Sequence, residues 1–160
     1  MIVAILIISF LLDGIMFSLA NQALPLFSLM SLILTYAYHQ DNSKMYWCAI
    51  ILGMFYDIVY TNSLFLNTLL FTGIIYLVNK IFRLITNNFL NTFWVTFLTI
   101  ILYRTTIYGF YCILDLAVWS FKDLSNCILM SIIINGIYLV IAYILIKWCA
   151  KKLRIKRKIW

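Results

Sequence analysis

The chain offers no stretch polar enough to form a water-facing domain surface until its last residues, Lys147 to Trp160. Hydrophobic residues make up 66% of it, charged residues only 11%, and glutamate is absent. A soluble domain carries about 25% charged residues, so lipid is the expected solvent for most of this surface. A helix needs about 20 apolar residues to cross a hydrocarbon core about 30 Å thick. Six crossings are expected, roughly Ile2–Ala20, Leu24–Tyr38, Tyr46–Thr61, Leu64–Val78, Phe89–Leu114 and Cys127–Ala150. The second to fourth are short and would be completed at the interface by Tyr, Trp, Asn and Lys. The expected fold class is therefore an all-α polytopic membrane protein. A six-helix transmembrane bundle would occupy 1–150, and a basic cytoplasmic tail 151–160.

Polar punctuation supports this division. Asn21–Pro25 separates the first two spans, and Pro25, the only proline, suits the first turn of a new helix, where its missing N–H costs nothing. His39–Lys44, Thr61–Ser63, Asn79–Asn88 and Asp115–Asn126 are the other expected loops. Lys and Arg accumulate in cytoplasmic loops. With six spans, one side holds Lys44, Lys80, Arg83, Lys147, Lys151, Lys152, Arg154, Lys156, Arg157 and Lys158, and the other only Lys122. Both termini are expected in the cytoplasm, with the Asp115–Asn126 loop outside.

Several function classes recede on the same composition. The net charge of +7 is accounted for by positive-inside anchoring and attraction to anionic lipid, worth about 1 kcal/mol per basic residue near the surface, so no nucleic acid is expected. The basic tail Lys151, Lys152, Arg154, Lys156, Arg157 and Lys158 faces lipid headgroups on this reading. Cys48, Cys112, Cys127 and Cys149 show no CxxC spacing, and neither a metal nor a cofactor is expected. Cys112 and Cys127 flank the outer loop, but free thiols are the simpler reading. Ser18-Leu-Ala20 has the small residues of a signal cleavage site; Asp13 interrupts the apolar run before it and no Lys or Arg precedes it, so cleavage is not expected. No nucleophile–base set, paired glutamates or phosphate loop is visible, and the single histidine, His39, lies in a loop, so catalysis is not expected.

Ionisable residues inside spans are the default functional candidates, because each costs about 2.5–3.5 kcal/mol at a helix centre on insertion scales. Asp13, Asp57 and Arg104 lie within the first, third and fifth spans, and Asn67 and Asn135 reach comparable depth in the fourth and sixth. These five form one expected polar cluster in the outer half of the membrane. Arg104 stays charged and needs an anion at its depth, with Asp57 the first candidate and Asp13 the second. Ala49, Gly53 and Asp57 share a helix face, as do Ser131, Asn135, Tyr138 and Ala142, the small-and-polar stripe by which membrane helices approach one another. Three roles stay open: gluing helices in register, lining a cavity open to the outside, or docking a partner's helix.

From the second span to the fourth the chain reads Leu24-Pro25-Leu-Phe-Ser-Leu-Met, then Gly53-Met-Phe-Tyr-Asp57-Ile-Val-Tyr-Thr61, then Asn67 and Gly73-Ile-Ile-Tyr-Leu77. This resembles the rod shape-determining MreD family, with a proline opening span two, a G-x-x-x-D pattern closing span three and a Gly-x-x-Tyr-Leu-like segment in span four. The likeness is greatest to the branch found in low-GC Gram-positive bacteria. It implies helix-packing roles for Gly53, Pro25 and Gly73. The family usually carries glycines in the turn after the aspartate. Asn62 and Phe65 stand there in this chain, and Phe65 is not expected to supply glycine's left-handed conformation. The resemblance further implies a non-enzymatic subunit of the elongation machinery in the bacterial cell membrane. It would bind an MreC-type shape protein and work beside RodA- and PBP2-type peptidoglycan synthases and an MreB-type filament. The implied fold is similar to the S components of energy-coupling-factor vitamin transporters. A substrate-binding S component is accordingly the runner-up, although span one lacks the Ala-x-x-x-Ala pair typical of those proteins.

Overall fold

The computed structural model describes residues 2–19, 25–39, 42–61, 65–85 and 88–152. Six helices follow one another: α1 (Ile2–Leu19), α2 (Phe27–His39), α3 (Asn42–Tyr56), α4 (Leu66–Leu84), α5 (Phe89–Ile113) and α6 (Phe121–Lys152). A π-helical turn, Asp57–Thr61, continues α3. No strand occurs among the described residues, so the chain is all-α. By length and composition, Leu90–Ile113 and Phe121–Leu145 are able to cross a membrane, while Val3–Ser18 and Phe27–Ala37 are apolar but shorter.

The bundle is organised around α2, which packs against each of the other five helices. Every residue from Leu26 to Tyr36 is at most 7% exposed. Leu29, Met30, Leu32, Ile33 and Leu34 cover most of the circumference of α2, and a helix apolar nearly all round belongs in an interior. Ser28, Ser31 and Thr35 are buried beside them, and the Thr35 hydroxyl bonds back to the Ser31 carbonyl at 2.6 Å. The tightest pairing around this axis is α3 with α4. There a Cβ built on Gly53 would lie 2.5 Å from the Thr68 Cα, so only glycine permits the approach.

Three boundaries differ from the sequence expectation. The expected loop from Asn79 is helical through Leu84, because Val78 and Phe82 continue the buried face of α4 and Asn79 is itself buried. There the Asn79 Oδ1 accepts from the Tyr36 hydroxyl at 2.7 Å and from Arg83 Nε at 3.1 Å, and its Nδ2 donates to the Tyr46 hydroxyl. The outer loop is shorter than Asp115–Asn126, since α6 begins at Phe121. Ser120 precedes it with Asp123 three residues on, and the Asp123 N–H points to the Ser120 hydroxyl at 3.4 Å; Ser-x-x-Asp is a helix-start signal. The His39–Lys44 loop contracts as well, because His39 ends α2 and Ser43 and Lys44 lie in the first turn of α3. At its far end α6 continues through Lys152.

Candidate functional site

A buried helix has a problem at its start. Its first N–H groups have no partner within the helix, and left unpaired in an interior each would cost about as much as a lost hydrogen bond. At 13 residues, α2 is about 20 Å long. Its N-terminus is met by side chains from both ends of the chain. Asn135 on α6 accepts the Leu26 N–H at 2.8 Å. Asp13 on α1 accepts the Phe27 N–H at 2.8 Å through Oδ1 and the Ser28 N–H at 2.9 Å through Oδ2. The Ser28 hydroxyl also donates to Asp13 Oδ2. Asn135 is oriented by its own Nδ2, which donates to the Ser131 carbonyl at 2.8 Å. A carboxylate here is doubly suited, since it accepts charge-assisted bonds and faces the positive end of the helix dipole.

The start of α4 repeats the arrangement. Asp57 opens the π-helical turn, and such turns often sit at functional sites. Its Oδ1 accepts the Asn67 N–H and Nδ2, both at 2.9 Å. Its Oδ2 accepts the Thr68 N–H at 2.9 Å and hydroxyl at 2.7 Å. Asn67 Nδ2 also donates to Thr61 Oγ1 at 2.8 Å, and Asn67 Oδ1 accepts from the Tyr103 hydroxyl at 2.5 Å, which ties α5 to the same point. Phe65, just before α4, adopts φ 57° and ψ 13°. The left-handed conformation is thus supplied by a phenylalanine, contrary to the sequence expectation, at a cost of about 1–2 kcal/mol. The four bonds to Asp57 fix the chain immediately beyond Phe65 and hold it there.

Tyrosines join the two caps. Tyr56, adjacent to Asp57 and 1% exposed, donates to the Pro25 carbonyl just ahead of α2 at 3.1 Å. Tyr60 donates to the Phe10 carbonyl of α1 at 2.7 Å and lies so close to Gly14 that a Cβ there would be 2.7 Å from its hydroxyl. Ser31 and Tyr138 share a hydrogen bond of 2.5 Å between α2 and α6. Arg104, 5% exposed, is buried in the bundle as well.

The five residues singled out from the sequence are thus all buried, and four of them are divided between two helix starts. Asp13 and Asn135 serve α2 and Asp57 and Asn67 serve α4. Gly53 sits at the close approach of α3 and α4. Gly73 does not sit at one, because a Cβ there meets nothing within 4 Å. Pro25 precedes α2 rather than lying in its first turn, with Leu26 between it and Phe27. Cys112 and Cys127 are free thiols. Lys151 and Lys152 lie in the last turn of α6, and Arg154, Lys156, Arg157 and Lys158 lie outside the described residues. Sequence reading passed over Tyr56, Tyr60, Tyr103, Ser28 and Thr68; the available signal was hydroxyl groups within apolar runs, which seek partners when buried.

No curated protein and no solved structure matches the chain. The family model for the rod shape-determining protein MreD matches residues 1–151, all six helices nearly to the end of α6. Both capped helix starts fall inside that match. With two membrane-capable helices among its described residues, this chain belongs to the MreD family of rod shape-determining membrane proteins.

Proposed function

We propose that this chain is a non-enzymatic, multi-pass membrane subunit of the bacterial cell-elongation complex. In that role it binds an MreC-type protein and helps to organise peptidoglycan synthases around it. The family match over residues 1–151 carries the reading. The use of the buried polar groups supports a scaffold over a catalyst. Asp13, Asp57 and Asn135 accept backbone amides and so stiffen the bundle. The same use weighs against the transporter alternative, since a solute site would draw on those groups.

Both termini lie in the cytoplasm on this reading, and all six helices cross the membrane. The short α2 does so inside a sheath of the others. Ten basic residues on one side against one on the other support that orientation.

Depletion in a rod-shaped host tests the function. Cells should round and swell, and a tagged copy should co-purify with an MreC-type protein. Normal rods combined with lost vitamin uptake would reverse the assignment in favour of an S component. Reporter fusions at Asn21, Ser43, Asn62, Asn87, Ser125 and Trp160 should alternate out, in, out, in, out, in. An external signal at Trp160 sinks the topology.

A further inference from the structure

The end of the bundle opposite the two caps holds a second polar knot, where three helices converge on one amide. Asn79 on α4 is 7% exposed. Its Oδ1 accepts the Tyr36 hydroxyl of α2 at 2.7 Å, and its Nδ2 donates to the Tyr46 hydroxyl of α3 at 3.1 Å. Tyr36 is itself buried and stacked on Phe82, with the ring planes 10° apart. These bonds give both ends of the amide a partner without any charged group. Asn79 nevertheless takes a further bond, from Arg83 Nε at 3.1 Å.

Arg83 is exposed. A guanidinium carries five N–H donors in a rigid fork, and the Nε bond is its only hydrogen bond among the described residues. The donors on its two Nη atoms remain for a ligand, and the Nε bond limits how the fork can turn. Lys80, also exposed, stands three residues earlier on the same helix face, with its ammonium 4.8 Å from the Tyr76 ring centroid. Lys44 adds a third cation in the first turn of α3, which the Tyr46–Asn79 bond sets beside the end of α4. Asp13 and Asp57 belong to the opposite end of the bundle, and Asp115 and Asp123 lie beyond the far end of α5. Asp41 lies outside the described residues, and its single charge cannot offset three cations.

An arginine fork with a lysine beside it suits a phosphate. The guanidinium supplies two parallel N–H···O bonds, and the ammonium a point charge for another oxygen. Position decides which phosphate. Apolar side chains stand exposed on the same turns as the cations: Trp47 after Lys44, Tyr76 and Leu77 before Lys80, Leu84 and Ile85 after Arg83. A water-soluble anion would meet the cations and leave these side chains bare. A phospholipid covers both, and Trp and Tyr favour that boundary.

We infer that Arg83 and Lys80 form a headgroup site for an anionic phospholipid of the cytoplasmic leaflet, with its phosphate on the Arg83 fork that Asn79 orients. The site rests on the orientation proposed above. It differs from diffuse attraction to a basic surface, because it needs an arginine at one position.

The test is native mass spectrometry of the full chain in micelles, with phosphatidylglycerol and phosphatidylcholine added as probes. Phosphatidylglycerol should be retained in preference. Arg83→Lys keeps the charge and loses the fork, so retention of phosphatidylglycerol should fall about tenfold, the worth of one hydrogen bond to a charged group. Lys80→Gln should cut the preference over phosphatidylcholine about fivefold, the worth of one basic residue near the surface. Both side chains are exposed, so both variants should keep the parent's helical circular dichroism. Equal retention by Arg83→Lys and the parent leaves only diffuse attraction and overturns the site, as does equal retention of the two lipids by the parent. An equal concentration of inorganic phosphate or of a polyglutamate peptide should not displace the lipid. Displacement by either assigns the surface to a soluble anion and overturns the lipid. An external reporter signal at Ser43 would overturn the orientation, whereas lost selectivity in micelles with an internal Ser43 overturns the site alone.

Discussion

Asp57 holds Thr68 twice, its Oδ2 accepting the Thr68 backbone N–H at 2.9 Å and the Thr68 hydroxyl at 2.7 Å. The aspartate opens the π-helical turn that continues α3 and the threonine lies in the first turn of α4, eleven residues later. The hairpin of α3 and α4 is therefore closed by a carboxylate on a helix start, at the level where Gly53 lets the two backbones meet.

Removing that carboxylate should be costly. Asp57→Ala strips the partner from one buried and one part-buried backbone amide, each worth about 1–3 kcal/mol when left unsatisfied. A loss of about 3–5 kcal/mol is expected by denaturant unfolding in micelles. Asp57→Asn keeps one acceptor oxygen and should lose about half as much. Thr68→Val removes only the hydroxyl bond, about 1.5–3 kcal/mol for a bond to a charged group. The two changes should be sub-additive by more than about 0.5 kcal/mol. Simple additivity would show that the hydroxyl bond is not made.

The two glycines of the family-like segment should behave oppositely. A Cβ at Gly53 meets the backbone of Thr68 and Asn67 at 2.5–3.0 Å, and backbone cannot swing aside as a side chain can. Gly53→Ala should cost at least about 1–3 kcal/mol by overpacking. Gly73→Ala meets nothing within 4 Å and should stabilise α4 by about 0.5–1 kcal/mol. Equal effects in the same unfolding assay would refute the assigned contact.

Phe65 is 56% exposed, so little packing is lost with its ring. Phe65→Gly should relieve the left-handed backbone and raise stability by about 1–2 kcal/mol, visible as a higher unfolding midpoint. A decrease would mean that the ring contributes more than its exposure implies.

At the other cap, Asn135→Leu leaves the Leu26 N–H without its acceptor, at a cost of about 1–3 kcal/mol. Hydrogen exchange should accelerate at Leu26, Phe27 and Ser28, and not at Asn67 or Thr68. Uniform acceleration would show that the two caps do not act separately.

Asp13, Asp57, Arg104, Asn67 and Asn135 stand out in the sequence because each interrupts an apolar run, and all five are buried. Their employment was not legible. A carboxylate in the middle of a span reads as an ion-pair partner or a ligand site, and only the position of a neighbouring helix start makes it a cap. That position depends on Phe65 adopting a left-handed turn, and on Leu26 and Phe27 being drawn to Asn135 and Asp13. Side-chain chemistry alone does not foretell either event. The helical extent at Asn79 and Phe121 is not legible in the sequence for a related reason. Charged and amide residues there read as solvent-facing, while Asn79 has its partners in Tyr36 and Tyr46.

The number of helices and their type follow from the sequence by itself, since long apolar runs with no proline beyond Pro25 can satisfy their backbones only as helices. The family likeness follows from the spacing of Pro25, Gly53 and Asp57. Only the tertiary structure decided that α2, the shortest helix, is the axis with the others around it. Lipid tails are as apolar as a helix interface. A span facing lipid and a span buried among helices therefore carry the same hydropathy, and what separates them is which backbone amides find an aspartate or asparagine on a neighbouring helix.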